Sequence, residues 1–427
     1  MKFTALDLSP LLQQAIDACG YSEMTAVQQK AIVPARRGKD ILANAQTGTG
    51  KTAAFALPIL QQIIDKPQTV EAGHVRALII TPTRELAEQL ADTIKGYAQF
   101  LELQIHAVFG GSTVQSQQKK LSRGVDILIA TPGRLLEHLV QCNTNLSKTQ
   151  FVVLDEADRM LDMGFIADMS TIFRHTPEKR QTMLFSATIS AQVEQLAKSI
   201  LHNHTQVRAA AVNTTADTVS HVVYPVEERR KADLFSELIN KYNWFQVLVF
   251  TSTKAQADTL VSRLKNTGVT TAVCHSDKTQ GSRRRAIADF KAGKVQVLIA
   301  TEVAARGLDI PGLEFVVNYN LPYLAEDYVH RIGRTGRAGN KGEAISFVSR
   351  EEERALSNIE RLINTSIKRI HMPGYDVGNR DTLRKNISKT KRKAPSNKAT
   401  QTKIVNRHNA ASKGKNKTSA KKRDNRI

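Results

Sequence analysis

The sequence contains a glycine-rich run, AQTGTGKT, that could bind a polyphosphate. Backbone N–H groups of such a loop, with the positive end of a following helix, can surround the β-phosphate of a nucleotide. Lys51 supplies a point charge to the β- and γ-phosphates, and the Thr52 hydroxyl can ligate magnesium. The alternative is a glycine-rich loop with a chance lysine. The residues assigned to the loop are Ala45, Gln46, Thr47, Gly48, Thr49, Gly50, Lys51 and Thr52.

An acidic run, Asp155-Glu-Ala-Asp158, directly follows the apolar residues 151–154. Open α/β sheets bind ligands at the carboxyl ends of their strands, so Asp155 is placed to hold magnesium through water. Glu156 is placed to orient and deprotonate the water that attacks a γ-phosphate. A solvated acidic loop is the alternative interpretation, which the phosphate loop upstream disfavours.

These residues need rigid elements to position them, and the chain alternates apolar strands with helical patterns. The strand runs are continuous in Val, Ile and Leu, which is typical of parallel sheets buried on both faces. Predicted strands are 40–45, 76–81, 106–109, 126–131, 151–155, 181–185, 221–226, 246–251, 270–275, 296–301, 315–320 and 343–348. Predicted helices include 84–98, 112–121, 253–266 and 282–292. The alternation predicts an α/β fold of parallel sheets flanked by helices.

The strand series looks duplicated, because Leu-Ile-Ala-Thr closes a predicted strand in both halves, at 128–131 and 298–301. Between the halves, residues 205–218 are small and polar, as in a linker. The domain prediction is 1–207, a linker at 208–218, a second domain at 219–370 and a tail at 371–427.

The net charge is concentrated at the C-terminal end. The chain carries +21, of which residues 380–427 contribute +15 and almost no large apolar side chain. Such a segment is expected to be disordered and to meet a polyanion, with nucleic acid favoured over a merely solubilising role. The sequence has no secretory signal pattern and no membrane span, and three scattered cysteines fit neither a disulfide framework nor a zinc site. We therefore expect a cytoplasmic protein.

Together with further strings, these runs resemble the DEAD-box ATP-dependent RNA helicases. The strings are AQTGTGKT, DEAD, and the segments that begin at Pro82 (PTREL), Thr131 (TPGR), Ser186 (SAT) and His330 (HRIGRTGR). They follow the family's order from residue 3 to about 349, and within the family the chain looks most like the bacterial RhlE-like group. The resemblance implies two tandem RecA-like domains, the first of which carries an N-terminal adenine-reading segment, with a disordered basic tail.

The resemblance also implies how ATP is bound and hydrolysed. Gln28 would read the adenine edge and Phe3 would stack on the ring, with a core aromatic as the alternative for Phe3. Arg334 and Arg337 would be arginine fingers for the γ-phosphate, although an ordinary basic surface loop is the alternative. Asp309 would contact the nucleotide from the second domain.

RNA contacts are implied at loops that follow other strands, where small, hydroxyl-bearing, glycine and arginine residues suit phosphate and sugar. These residues are Pro82, Thr83, Arg84, Gly110, Gly111, Thr131, Pro132, Gly133, Arg134, Thr251, Gln280, Arg283, Thr301 and Gly307. Ser186, Thr188, Asp158 and His330 would couple the ATP and RNA sites, and a plain strand-ending turn is the alternative for the first two. The chain departs from the family pattern at Ala26, Ala45, Ser276 and Glu302.

The predicted activity is RNA clamping and local unwinding of short duplexes, or remodelling of RNA–protein complexes, driven by ATP with Mg²⁺. Partners would be RNA, bound without sequence preference, and precursor-ribosome or RNA-decay complexes, with no membrane. Two other classes stay open. They are a DNA helicase or translocase on the same scaffold, and an RNA clamp that needs ATP binding but little unwinding.

Overall fold

A computed structural model describes residues 1–45, 48–208, 219–305, 310, 312–336 and 341–375 of the chain. The predicted linker from 209 onward, and the predicted tail from 376 onward, lie outside the described residues. So do Gln46, Thr47, Gly307, Asp309 and Arg337. Within the described part, no helix combines the length and the apolar character needed to cross a bilayer.

The first sheet contains seven strands in the order β3-β4-β2-β5-β6-β1-β7, and every neighbouring pair is parallel. Parallel neighbours need crossover connections, and helices supply them on both faces. The strands are β1 (Ile41–Asn44), β2 (Val75–Ile80), β3 (Ile105–Val108), β4 (Val125–Ala130), β5 (Phe151–Leu154), β6 (Gln181–Ser186) and β7 (Thr205–Arg208).

The second sheet repeats this topology, in the order β10-β11-β9-β12-β13-β8-β14, and is again wholly parallel. Its strands are β8 (Val219–Pro225), β9 (Val247–Thr251), β10 (Thr271–Cys274), β11 (Val297–Thr301), β12 (Phe315–Asn318), β13 (Gly342–Val348) and β14 (Lys368–Arg369). The two Leu-Ile-Ala-Thr strings end β4 and β11, which hold the same position in their sheets. The sequence echo therefore marks equivalent strands of a duplicated fold.

Fifteen α-helices are described, and four short 3₁₀ turns accompany them at Phe3–Leu6, Glu228–Arg230, Lys265–Thr267 and Arg350–Glu352. Helices of the first half are α1 (Pro10–Ala18), α2 (Ala26–Arg36), α3 (Lys51–Asp65), α4 (Arg84–Tyr97), α5 (Val114–Leu121), α6 (Pro132–Val140), α7 (Ala157–Asp162), α8 (Ile166–Arg174) and α9 (Ala191–Ile200). Those of the second half are α10 (Lys231–Tyr242), α11 (Lys254–Leu264), α12 (Gln280–Lys291), α13 (Glu302–Ala305), α14 (Ala325–Ile332) and α15 (Glu353–Leu362).

The strands are apolar throughout because each sheet has a core on both faces. In β2, Ile79 packs in one cluster while its neighbours Leu78 and Ile80 pack in the other. Successive strand residues point to opposite faces, so a strand covered on both sides needs apolar residues at consecutive positions. This arrangement confirms the predicted α/β class with parallel sheets flanked by helices.

All twelve predicted strands are present, but the sheets also contain two that the sequence analysis missed. Residues 205–218 were interpreted as linker-like in composition, with the first domain ending at 207, whereas Thr205–Arg208 pairs with β1 as an edge strand. Only Val207 of this strand is buried, so its sequence lacks the continuous apolar run that identified the other strands. β14 is a two-residue edge strand whose side chains are both exposed.

Gly124, which directly precedes β4, lies very close to neighbouring backbone atoms. Its φ is +82°, and a Cβ there would lie 2.7 Å from the carbonyl oxygen of Glu71 and 2.8 Å from that of Val70. Gly38 has a similar φ of +76°, but a Cβ there would meet nothing within 4 Å. Substitution of Gly38 therefore measures the cost of the left-handed backbone alone, and substitution of Gly124 adds the cost of the steric collision.

We expect Gly38→Ala to lower the free energy of unfolding by about 1 kcal/mol, the cost of a left-handed conformation alone. Gly124→Ala should lower it by roughly 3 kcal/mol, because two backbone carbonyls must also move. Chemical denaturation of the full-length variants, followed by circular dichroism, measures both values. Equal losses for the two variants would contradict the packing described here.

Candidate nucleotide site and nucleic-acid cleft

The glycine-rich loop connects β1 to α3, as the sequence predicted. Gly48 and Gly50 have φ of +84° and +88°, a conformation that glycine adopts without strain. Lys51 is the first residue of α3 and is 6% exposed. The partial positive charge at the N-terminus of this long, apolar helix and the Lys51 ammonium are therefore both located at the glycine-rich loop.

Lys51 and Asp155 form a buried ion pair at the centre of this site, with Nζ 3.6 Å from Oδ1. Each side chain is 6% exposed, and neither atom has a hydrogen-bond partner among the described residues. Burial raises the pKa of Asp155 to about 6; Lys51 opposes this rise and Glu156 adds to it. Buried charges without hydrogen bonds are costly, so the site fits a ligand that supplies phosphate oxygens to Lys51 and a cation to Asp155.

Glu156 directly precedes α7 and has a left-handed backbone, with φ 57° and ψ 52°. This conformation is uncommon for a non-glycine residue and costs free energy, and such strain is typical of functional positions. Its carbonyl oxygen accepts hydrogen bonds from the N–H groups of Arg159 and Met160, at 3.0 and 3.1 Å. The first turn of α7 thereby fixes the position of Glu156.

Asp158 binds the Ser186–Thr188 turn at the end of β6. Its Oδ2 accepts hydrogen bonds from the N–H of Ala187 (3.1 Å), the N–H of Thr188 (2.8 Å) and the Thr188 hydroxyl (3.0 Å). The Asp158 N–H donates to the Ser186 hydroxyl at 3.2 Å. Burial raises the pKa of Asp158, but His330, Lys51 and Thr188 outweigh it and hold the pKa below its usual value. The structure thus brings three of the predicted coupling residues, Asp158, Ser186 and Thr188, into direct contact.

Gln28 connects α2 to the phosphate loop. Its Oε1 accepts a hydrogen bond from the N–H of Thr25 at 2.8 Å, and its Nε2 donates to the carbonyl oxygen of Gly50 at 3.1 Å. A Cβ at Gly50 would collide with this amide, so glycine is required there for the approach. An amide has two donors and two acceptor lone pairs, which leaves one of each for a base edge.

Phe3 is only 2% exposed and packs in the core of the first half. Its ring stacks on Tyr21, with centroids 6.1 Å apart, and Tyr21 is 39% exposed. This is the packing arrangement that the sequence analysis held as its alternative for Phe3. Tyr21 presents the accessible aromatic ring of the pair, and Gly20-Tyr21 belongs to the segment that the resemblance to the family marks as adenine-reading.

A cleft of about 930 Å³ lies between the carboxyl edges of the two sheets. Its lining from the first half is Pro82, Thr83, Arg84, Glu85, Gly110, Thr131, Gly133, Arg134, Glu137, Met163 and Phe165. Its lining from the second half is Ser252, Thr253, Lys254, Ala255, Ser276, Arg283, Thr301, Val303 and Ala304. Segments far apart in sequence therefore form one groove.

Nine residues predicted to contact RNA line this cleft, namely Pro82, Thr83, Arg84, Gly110, Thr131, Gly133, Arg134, Arg283 and Thr301. Four other predicted residues, Gly111, Pro132, Thr251 and Gln280, are not part of the lining. Gly111 packs against the Arg84 guanidinium, Pro132 is a buried residue that starts α6, and Thr251 is fully buried. Gln280 donates to the carboxylate of Glu88 at 3.5 Å.

The cleft also contains residues that the sequence analysis missed. Ser252 to Ala255 directly follow β9, and Ser276 comes two residues after β10, so the rule of strand carboxyl ends could have found them. Met163 and Phe165 lie between α7 and α8, where no motif or strand end signals a site.

Arginines from both halves converge on the cleft. Burial lowers the pKa of Arg84, and the positive charges of Arg283 and Arg134 lower it further. Arg134 is held by Glu137 and by the carbonyl oxygen of Ser112, each at 2.9 Å. Fixed, mutually repelling guanidinium groups favour an anionic ligand such as a nucleic-acid backbone.

Arg334 lies at the C-terminal end of α14, the helix that also carries His330. It is 3% exposed, and its Nε donates to the carbonyl oxygen of His330 at 3.3 Å. Asp327 of the same helix lies 2.8 Å from Arg159, which directly follows the DEAD run, so α14 faces that run of the first half. Arg337 and Asp309, the other predicted nucleotide contacts of the second half, lie outside the described residues.

Known proteins show the same two-part organisation. The sequence profile of the DEAD/DEAH box helicases matches residues 25–196, and that of the helicase conserved C-terminal domain matches residues 230–339. The ATP-dependent RNA helicase CshA of Listeria monocytogenes is 39% identical over 375 residues, which cover 88% of this chain and 71% of that protein. The ATP-dependent RNA helicase DbpA of Bacillus subtilis is 38% identical over 377 residues, covering 88% and 77%.

The fold agrees with a solved structure of S. cerevisiae Dbp5 bound to RNA and ADP BeF3. The TM-score is 0.78 at 32% identity, and the match covers 91% of this chain and 99% of that chain. The two parallel sheets are thus a tandem pair of RecA-like domains. With both family profiles, these relatives establish that the chain belongs to the DEAD-box family of ATP-dependent RNA helicases.

Proposed function

We propose that ATP and RNA together close the two RecA-like domains around the 930 Å³ cleft, and that closure clamps one RNA strand and bends it. Bending expels the partner strand from a short duplex, or displaces a bound protein, and hydrolysis reopens the cleft. The observation that carries this proposal is a single groove in which arginines and hydroxyl residues from both sheets face each other.

The phosphate site performs the chemistry. Lys51 binds the β- and γ-phosphates, and Thr52 and Asp155 would hold a magnesium ion, which neutralises phosphate charge when bound. The unpartnered atoms of the Lys51–Asp155 pair support this assignment. Glu156, held in a strained conformation by α7, orients the attacking water and accepts its proton. Arg334 and Arg337 stabilise the negative charge that the transferring phosphoryl group carries.

Several finer assignments are part of the proposal. The domains span 1–207 and 219–370, joined by a linker at 208–218, with a basic tail beyond 371. The protein acts in the cytoplasm, on precursor ribosomes or RNA-decay complexes. Membership of the RhlE-like group stays a prediction, supported by the basic extension. The relatives named above, CshA and DbpA, do not test it.

Lys51→Ala should lose ATP affinity, because Lys51 contacts phosphate in the ground state. Glu156→Gln should still bind ATP and RNA, but its turnover should fall roughly 100-fold or more, because Glu156 acts only in the chemical step. Nucleotide affinity and RNA-saturated turnover are measured for both variants, with DNA of the same sequence as the control polymer. Wild-type turnover in Glu156→Gln, or equal stimulation by DNA, would contradict the proposal.

Gln28→Ala should reduce the preference for ATP over GTP by about 1–3 kcal/mol, because a paired amide contact to the base edge is lost. The matched control is Gln29→Ala. Its Nε2 donates to the Met24 carbonyl oxygen at 2.8 Å, so it ties the same segment without contacting the phosphate loop. Competition binding of ATP and GTP measures the preference. If Gln28→Ala keeps the full preference, Gln28 does not read the base.

Deleting residues 380–427 should weaken RNA binding and flatten its salt dependence, because this segment carries +15 of the +21 net charge. Each lost phosphate contact should reduce the slope of log affinity against log salt by roughly 0.7 on single strands. Turnover at saturating RNA should stay nearly intact. A salt titration of RNA affinity tests this for both lengths of chain, and an unchanged slope would mean that the tail only solubilises the protein.

A further inference from the structure

Arg159, the residue that directly follows the DEAD run, is a buried arginine outside the phosphate site and the cleft lining. It lies in α7, only 2% exposed, and it is among the largest fully buried side chains of the protein. A guanidinium keeps its charge at any physiological pH, so a buried one needs carboxylate partners. Its position, three residues after Glu156, makes the identity of those partners informative.

The partners of Arg159 come mainly from the other domain. Its Nη1 lies 2.8 Å from Asp327 Oδ1, and its Nη2 lies 3.5 Å from Glu302 Oε1. Asp327 and Glu302 belong to α14 and α13, and both side chains are less than 20% exposed. The partner from its own helix is Asp162, at 3.0 Å.

One of the two acceptors, Glu302, is itself held in place within the second domain. Arg331 forms an ion pair with Glu302 and donates to the Asn320 carbonyl oxygen at 2.7 Å. Asp327 and Arg331 are four residues apart on α14, so they lie on the same face of that helix. From α14, the Asp327 carboxylate reaches Arg159 of α7, while Arg331 stays within the second domain and fixes Glu302.

Opening the domains would change the charge balance around Arg159. The guanidinium is buried among Asp162, Asp327 and Glu302. On opening it would keep Asp162 as a partner and lose Asp327 and Glu302. Burial raises the pKa of Asp162; Arg159 opposes this rise, while Asp327 adds to it. In the closed arrangement, removal of Arg159 would leave carboxylates facing one another across the domains, which repels them.

We propose that Arg159 is a positioning residue, which ties α7 to α14 and so aligns Glu156 with Arg334 for hydrolysis. This clasp, formed by Arg159, Asp327 and Glu302, acts only when the domains are closed. It rests on the proposed function, because alignment matters only if the two halves of the ATP site act together. Glu302 stands where the family pattern usually has aspartate, and its longer side chain reaches both Arg159 and Arg331.

The test is a charge exchange in the full-length protein. Arg159→Glu and Asp327→Arg are each expected to lower RNA-saturated ATP turnover by roughly tenfold, a typical coupling for a buried pair. The double variant should recover a large part of this loss, because the new arginine on α14 could pair with the new glutamate on α7 and with the remaining acidic groups. ADP affinity measured without RNA should change less than about twofold, because the clasp is absent in the open state.

A matched control is Arg76→Gln, which removes another buried arginine. Arg76 lies wholly within the first domain, where its Nε donates to Gln150 Oε1 at 3.2 Å. Its removal should lower thermal stability and leave RNA-saturated turnover unchanged. Loss of turnover in this control equal to that in Arg159→Glu would overturn the clasp, since any buried arginine would then have the same effect.

Two further outcomes are decisive. If Arg159→Glu fails to fold, Asp327→Asn keeps the shape of the side chain, and unaltered turnover in that variant would overturn the clasp. Folded single variants without recovery in the double variant would overturn it as well. A wild-type protein without RNA-stimulated turnover would instead overturn the proposed function, so the two failures are distinguishable.

Discussion

Parallel strand pairing is the constraint on which the rest of this structure depends. Every strand pair in both sheets is parallel, so all the carboxyl ends of a sheet meet at one edge. The phosphate loop, the DEAD run and the Ser186–Thr188 turn follow β1, β5 and β6, which are adjacent along that edge. The corresponding edge of the second sheet supplies Thr301 and the residues after β9. Catalytic groups that are distant in sequence become neighbours for this reason.

Buried charge determines how the two edges interact. The nucleotide site holds Lys51 and Asp155 in an ion pair whose Nζ and Oδ1 atoms have no hydrogen-bond partner among the described residues, an arrangement that a polyphosphate with a cation would stabilise. Across the domains, Arg283 lies 2.5 Å from Glu85, and Arg159 contacts Asp327. These contacts between the domains are ion pairs, whereas the main apolar cores lie within each domain.

Much of this organisation could be predicted from the sequence, because local patterns encode it. Continuous apolar runs identified the strands of both sheets, and the string Leu-Ile-Ala-Thr identified two equivalent strands. The edge strand Thr205–Arg208 was missed because only one of its four side chains, Val207, is buried. It therefore lacks the continuous apolar run that identified the other strands. Phe3 could not be assigned from sequence, because an aromatic residue for packing and one for stacking on a base look the same. The Arg159 contacts were missed because they join residues whose spacing in the chain carries no signal.

The claim that both ligands share one closed state is tested most directly by thermodynamic linkage. RNA affinity is measured with and without a saturating, non-hydrolysable ATP analogue, and the affinity for the analogue is measured with and without saturating RNA. The account predicts that each ligand raises the affinity for the other, and by the same factor, because both select the same closed arrangement. RNA affinity that is unchanged by the analogue would show that the two sites act independently, and would contradict the account.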